Sequence, residues 1–378
     1  MVALKNRTNK MNTLNRYATL LCDYCLELKK GERLFVSTST LAVPLVKEVY
    51  REATKRGVMV ETDLLFSEQG KIFFDNADDD LLEIAPALRK MAIEQFDAYL
   101  VIRAPFNLKE DQNVNPEKKK RRQSVMRPIT ETYFQRTGNG SLKRSLCQYP
   151  TQASAQMADM SLEEYEQFIY NACMLYADHP EAEWLKVRKG QQKLVDHLNQ
   201  VSQVRYLNMD TDISFSVKER IWINSDGRNN MPSGEVFTGP VEDTVNGVVH
   251  FNYPSIFMGK EVSGITLWVE EGKIIKWDAN KGKDILDRVF EIDGSRYFGE
   301  VAIGTNYNIQ TPTKNILFDE KIGGTIHMAV GQSYKQTGGK NSSAIHWDMI
   351  ADMKDGGKIF TDDELIYENG KFLNGLLL

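Results

Sequence analysis

Cysteine is scarce in this chain: Cys22, Cys25, Cys147 and Cys173 are the only four in 378 residues. Four irregularly spaced cysteines cannot staple a chain of this length, and such usage suits a reducing compartment, so a cytoplasmic location is expected. Cys22 and Cys25 form a CxxC, yet they fall within a helical pattern of Leu14, Tyr17, Leu20, Leu21, Cys25 and Leu28. No second CxxC completes a zinc site, and no strand precedes it as in a thioredoxin-like motif. Long apolar runs are missing too: none approaches the ~20 residues that a membrane-spanning helix needs. The N-terminal stretch is polar and then amphipathic, without the apolar segment and cleavage site of a signal peptide. Charge of one sign is not in excess, the net value being -5, so the balance advertises neither nucleic acid nor an anionic membrane as a partner. The one basic block, Lys118 to Arg122, reads as a solvated loop or the start of a helix. No GxGxxG follows the first predicted strand, which leaves a dinucleotide site without support.

What is present suits a soluble globular protein, with 42% hydrophobic and 26% charged residues. In the first half, "RLFVSTST", "VMVETDLLF" and "AYLVIRAP" read as strands. They alternate with helical patterns in "VPLVKEVYREATKRG" and "DDDLLEIAPALRKMAIEQF", and two further helices are expected after Ser161 and through "AEWLKVRKGQQKLVDHLNQV". Such alternation predicts an α/β domain with a mainly parallel sheet over residues 1–200. Beyond Val201 the texture changes to short strands and turns. Glu271-Gly272 and Asn369-Gly370 read as hairpin turns, and one helix, "GKDILDRVFEI", interrupts the series. Residues 201–378 are expected to form a mixed, largely antiparallel α+β domain.

Within that second half, "SAIHWDMI" alternates like a buried strand, which puts His346 and Asp348 side by side on one face. A buried charge is costly unless something pairs with it. Three more stretches share the character. "NMPSGEVFTGP" sets Glu235 after a Ser-Gly turn, and "RYFGEVAIGTN" sets Glu300 between Gly299 and an apolar run. "FDEKIGGTIHMAVGQSY" sets His327 on a short strand entered through Gly323-Gly324 and left through Gly331. Glycines beside a buried polar residue allow backbone or ligand to approach closely. Three carboxylates and two imidazoles are what a pair of divalent cations needs: carboxylates neutralise and bridge, imidazoles complete each shell. His179 and His197 fall in charged helical surroundings, and His250 reads as a core histidine.

These four ordered segments resemble the signature of the thermophilic-type metallo-aminopeptidases, the aminopeptidase T, aminopeptidase S and PepS group. A looser similarity runs upstream through "YATLLCDYCLELKKGERLFVSTST" and "YPTQASAQMADMSLEEYEQF". The resemblance implies that Glu235, Glu300, His327, His346 and Asp348 bind two metal ions, in the C-terminal domain, and that Tyr334 of the "GQSY" stretch acts in catalysis. It also implies a homodimer acting on small peptides with a free N-terminus. Zinc, cobalt and manganese suit this donor chemistry equally. The proton carrier from water to leaving amine is Glu300, Glu235 or Glu320, with Glu320 otherwise orienting a ligand from behind. A di-metal phosphoesterase is the principal alternative, although the motifs have few basic residues to aim at phosphate. A catalytically silent binding homologue would be expected to lack a ligand, and a purely structural role leaves the embedded charges without a reason.

Overall fold

Alternating strand and helix patterns in the first half place successive strands parallel to one another. The computed structural model describes residues 13–377, which divide between Glu181 and Ala182, with Arg228–Met231 returning to the first unit. In that unit β1 (Arg33–Ser39), β2 (Met59–Leu65), β3 (Ala98–Arg103) and β4 (Lys143–Gln148) run in the order β2-β1-β3-β4. All pairings are parallel, and the short strand Asn230–Met231 adds to β4 at the edge. Helix α1 (Val43–Lys55) has a proline in its first turn and buries Leu45, Val46, Val49 and Ala53 at helical spacing. The stretch "DDDLLEIAPALRKMAIEQF", expected to be one helix, is two: Asp79–Leu82 and α2 (Ala87–Gln95). Pro86 lacks an N–H and drives the preceding residue out of the helical region, which explains the break.

The basic block belongs to the start of a helix, one of its two expected placements, and not to a loop. It lies in the first turns of α3 (Pro116–Gly138), capped by the Asn115 side chain. Lys118 Nζ donates to the carbonyls of Phe74 and Ala77 at 2.7 and 2.8 Å, and Arg122 donates to those of Leu82 and Ile84. Arg121 pairs with Asp79 at 2.6 Å. Lys118 and Arg122 thus satisfy carbonyls at the ends of neighbouring short helices, a role that complements the helix dipole. Helix α4 (Leu162–Ala172) opens on a complete capping box of Ser161 and Glu164. Cys22 and Cys25 are both buried in a π-helical turn, Leu21–Cys25.

The second unit takes in most of α5 (Pro180–Leu198), so the division falls at the start of this helix rather than near Val201. The reason is packing: Leu194, Val195 and Leu198 join Trp222, Val236 and Met328 in one apolar core. Two antiparallel sheets build this unit. The larger has nine strands and includes the hairpins Lys260–Glu270/Lys273–Lys281 and Glu364–Glu368/Lys371–Phe372. Their turns carry positive φ at both central residues, Glu271 and Gly272, then Asn369 and Gly370, as two-residue hairpins of this kind require. The smaller sheet has five strands: β5 (Ile223–Ser225), β6 (Glu235–Thr238), β7 (Phe298–Gly304), β8 (Thr325–Gly331) and β9 (His346–Asp352), in the order β9-β8-β7-β6-β5. No helix among the described residues is long and apolar enough to cross a membrane.

One buried charge cluster in the first unit has a measurable consequence. Glu52 accepts from Asn15 at 2.9 Å and pairs with Lys55 and Arg56 at 2.7 and 2.8 Å. Burial opposes its ionisation, but these donors win and bring its carboxyl down from 4.5 to about 2. Because the folded pKa lies below the unfolded one, the stability is complete above about pH 4.5 and fades as pH falls toward 2. Glu52→Gln is therefore expected to cost about 1–2 kcal/mol at pH 7 in urea unfolding, with the gap narrowing only below pH ~4.5. A gap that stays constant down to pH ~3 would show that the charge contributes nothing.

Candidate metal centre

Strand alternation alone would put Val236, Val301, Ile303, Ile326, Met328, Val330, Trp347 and Met349 on one side of the small sheet, and all are buried in the core. The other side carries Glu235, Glu300, His327, His346 and Asp348. Residues directly opposite in an antiparallel pair share a face, and the register shows what faces each of them. Gly304 lies opposite Glu235, and Ala302 opposite His327. Ala329 lies opposite both Glu300 and Asp348, and Gly331 opposite His346. Every large polar side chain thus has a small cross-strand neighbour, which leaves room for its end groups to converge.

They do converge. His327 Nε2 lies 3.2 Å from Glu300 Oε1 and 3.4 Å from Glu235 Oε2. His346 Nε2 lies 3.6 Å from Glu300 Oε2 and 3.5 Å from Asp348 Oδ1. His346 is oriented from behind, its Nδ1 set 2.8 Å from the Gln332 carbonyl, which leaves Nε2 facing the carboxylates. Two sets of donor atoms, each lying within 4.8 Å of one another, have a composition able to hold a metal ion: Glu300, His327 and Asp348, and Glu235, Glu320 and His327. Both share His327, which is fully buried.

The charges lean on one another. Burial alone would lower the pKa of both histidines. For His327 the carboxylates of Glu300 and Glu235 more than reverse this and push it up to about 9. For His346, Asp348 and Glu300 push it up to about 10. Burial raises the Glu300 and Glu320 carboxyls. Asp348 is held low despite burial, because His346 and His327 stabilise its charge. These carboxylates have an evident want of cations. Glu235 Oε2 and Asp348 Oδ1 are buried without a hydrogen-bond partner among the described residues. Oxygens left so are expensive unless a cation meets them, so the residues present fit divalent metal.

Glu320, read from the sequence as a proton carrier or as a group orienting a ligand from behind, stands among the candidate donors. Gly304 explains how: a Cβ there would meet the Ile322 carbonyl at 2.1 Å, so only glycine lets the segment carrying Glu320 and Lys321 lie this close. Asn306 fixes that segment, its N–H donating to Lys321 O and its carbonyl accepting from Gly323 N, both at 2.9 Å. Lys321 was not singled out in the sequence. Its Nζ donates to Glu235 Oε1 at 2.6 Å and to Glu320. Gln191 of α5 was likewise unforeseen: fully buried, it donates to the Glu235 carbonyl at 2.9 Å and accepts from Thr305. Tyr334 stands at the rim, 46% exposed, its ring 5.2 Å from that of His346 and 5.6 Å from that of Phe237. His197 and His250 lie elsewhere, bonded to Thr361 and Thr266, and His179 sits beside Glu181.

Adding zinc, cobalt or manganese to metal-stripped protein is expected to raise its thermal midpoint. At a free concentration 100 times Kd the gain is about 2.7 kcal/mol. His327→Ala should abolish most of that gain and His250→Ala should retain it. A midpoint that ignores the titration would show that the unpartnered oxygens do not face a cation seat.

Known proteins resemble the chain over most of its length. Over 385 aligned residues the chain is 26% identical to aminopeptidase AmpS of Bacillus subtilis, covering 90% of this chain and 93% of that protein. It is 26% identical to aminopeptidase 2 of Geobacillus stearothermophilus, covering 85% and 84%. Aminopeptidase T of Thermus thermophilus is 25% identical, covering 94% and 95%. The solved structure of wild-type AmpT from Thermus thermophilus superposes with a TM-score of 0.83 at 22% identity, covering 96% of this chain and 99% of that one, so the fold is shared. Residues 10–372 match the family model described as thermophilic metalloprotease (M29), and the chain belongs to that family.

Proposed function

We propose that the protein is a metal-dependent aminopeptidase in which Glu235, Glu300, His327, His346 and Asp348, joined by Glu320, hold two divalent ions. The observation that carries this reading is the set of carboxylates and imidazoles converging on one face, with one oxygen each of Glu235 and Asp348 buried without a hydrogen-bond partner among the described residues. The metalloprotease family and the aminopeptidase names of its relatives support it. When bound, the metal supplies Lewis-acid polarisation of the scissile carbonyl and a water acidic enough to attack it.

The chain's own groups do the rest. Partial burial and the carboxylates of Glu300 and Asp348 hold the Tyr334 hydroxyl protonated, well above its usual range. It therefore donates a hydrogen bond where negative charge develops on the carbonyl oxygen. Glu300 and Glu320, whose carboxyls burial pushes up, are the candidates to carry the proton from water to the leaving amine. The acidic face draws the charged α-amine of the substrate, which restricts cleavage to the first residue. A phosphoesterase would be expected to bring several cations to the site, whereas among the described residues the donors' ion pairs with lysine or arginine run to Lys321 alone. The four cysteines are free and buried, which supports a cytoplasmic location, and a homodimer is part of the proposal.

The test compares a leucyl peptide with its N-acetylated twin, using metal-stripped and metal-restored protein. Only the free-amine peptide should be cleaved, and only with metal. Tyr334→Phe should lower kcat by about 10²-fold with little change in KM. Metal-loaded protein that cleaves neither peptide would sink the reading.

A further inference from the structure

Lys321 is unused by the hydrolytic scheme, yet it lies inside the donor cluster. It is 1% exposed, and a buried ammonium is tolerated only when opposite charge meets it directly. Glu235 Oε1 lies 2.6 Å from its Nζ and Glu320 Oε1 is in contact with it. Burial alone would lower its pKa, but these two carboxylates reverse the effect and leave it above the usual lysine range. The side chain is not a loose surface arm: its backbone is clamped by Asn306 and by an N–H bond to the Phe318 carbonyl at 3.0 Å.

The two candidate seats are therefore unequal. In one, the ion pairs of Glu300 and Asp348 among the described residues run to His327 and His346 alone. In the other, two of the three donors, Glu235 and Glu320, already share a protein cation. Glu235 divides between them: Oε1 goes to Lys321, while Oε2 has no hydrogen-bond partner and lies 3.4 Å from His327 Nε2. A divalent ion entering beside Glu320 must take one or both carboxylates from the ammonium, or sit in contact with it.

We propose that Lys321 is a built-in cation competing for the second metal seat, so that the two seats fill unequally. One ion binds on Glu300, His327, His346, Asp348 and Glu235 Oε2. A second binds only by displacing the Lys321 ammonium from Glu235 and Glu320. The inference rests on the two-cation reading above.

The experiment is calorimetric titration of metal-stripped full-length protein with zinc at neutral pH, with bound metal counted by elemental analysis after equilibrium dialysis. The parent should bind one equivalent tightly and a second on the order of 100-fold more weakly. Lys321→Met should tighten the second equivalent by at least about tenfold. Lys321→Arg, which keeps the charge and guards against a folding defect in the methionine variant, should preserve the unequal pattern. Two equally tight equivalents in the parent, or in Lys321→Arg, would overturn the proposal. So would a Lys321→Met protein that loses its second equivalent, since the lysine amine would then be a ligand rather than a rival. A parent that binds no zinc would instead overturn the two-cation reading on which the proposal rests.

Discussion

The register of one five-stranded sheet is the constraint on which the proposed centre depends. A strand gives a residue two choices of face, and a slip of one position would send Glu300 or His327 into the apolar core. The correct register is enforced from the other side, where Val301, Ile303, Ile326, Met328, Trp347 and Met349 are buried. On the polar side, Ala302, Ala329, Gly304 and Gly331 stand opposite the large donors. Small residues there are as necessary as the carboxylates, because bulkier neighbours would fill the space in which the end groups meet.

Electrostatics in the cluster oppose stability in the way a binding site requires. Glu235, Glu300, Glu320 and Asp348 are largely withdrawn from water, and mutual repulsion and desolvation raise two of their carboxyls. The histidines and Lys321 offset part of this cost. What they leave uncompensated is available as affinity for a divalent ion. Support comes from polar groups outside the face, such as Gln191 behind Glu235 and the Gln332 carbonyl behind His346.

Much of this was legible in the sequence, and for definable reasons. Period-two alternation exposed the strands and set His346 beside Asp348, while glycine-bounded stretches marked Glu235, Glu300 and His327. The parallel sheet followed from strand–helix alternation, and the Glu271-Gly272 and Asn369-Gly370 turns from their residue types. What was hidden depends on pairing between distant segments. Glu320 and Lys321 reach the cluster through Gly304 and Asn306, and Gln191 through a helix read only as amphipathic. The basic block at Lys118 found its meaning in carbonyls of residues 74 to 84. Neither connection leaves a periodic trace. The break at Pro86 was readable from the proline and was outweighed by the apolar spacing around it.

The cross-strand pairing of Gly304 with Glu235 and of Ala329 with Asp348 also bears on how the molecule folds. The donors are drawn from segments far apart in the chain, so the cluster exists only after non-local strands have docked, the slowest class of folding event. Metal then has little to grip in early, locally ordered states and cannot act as a template for them. Its stabilisation falls on the finished sheet, which makes it a brake on unfolding rather than an accelerator of folding.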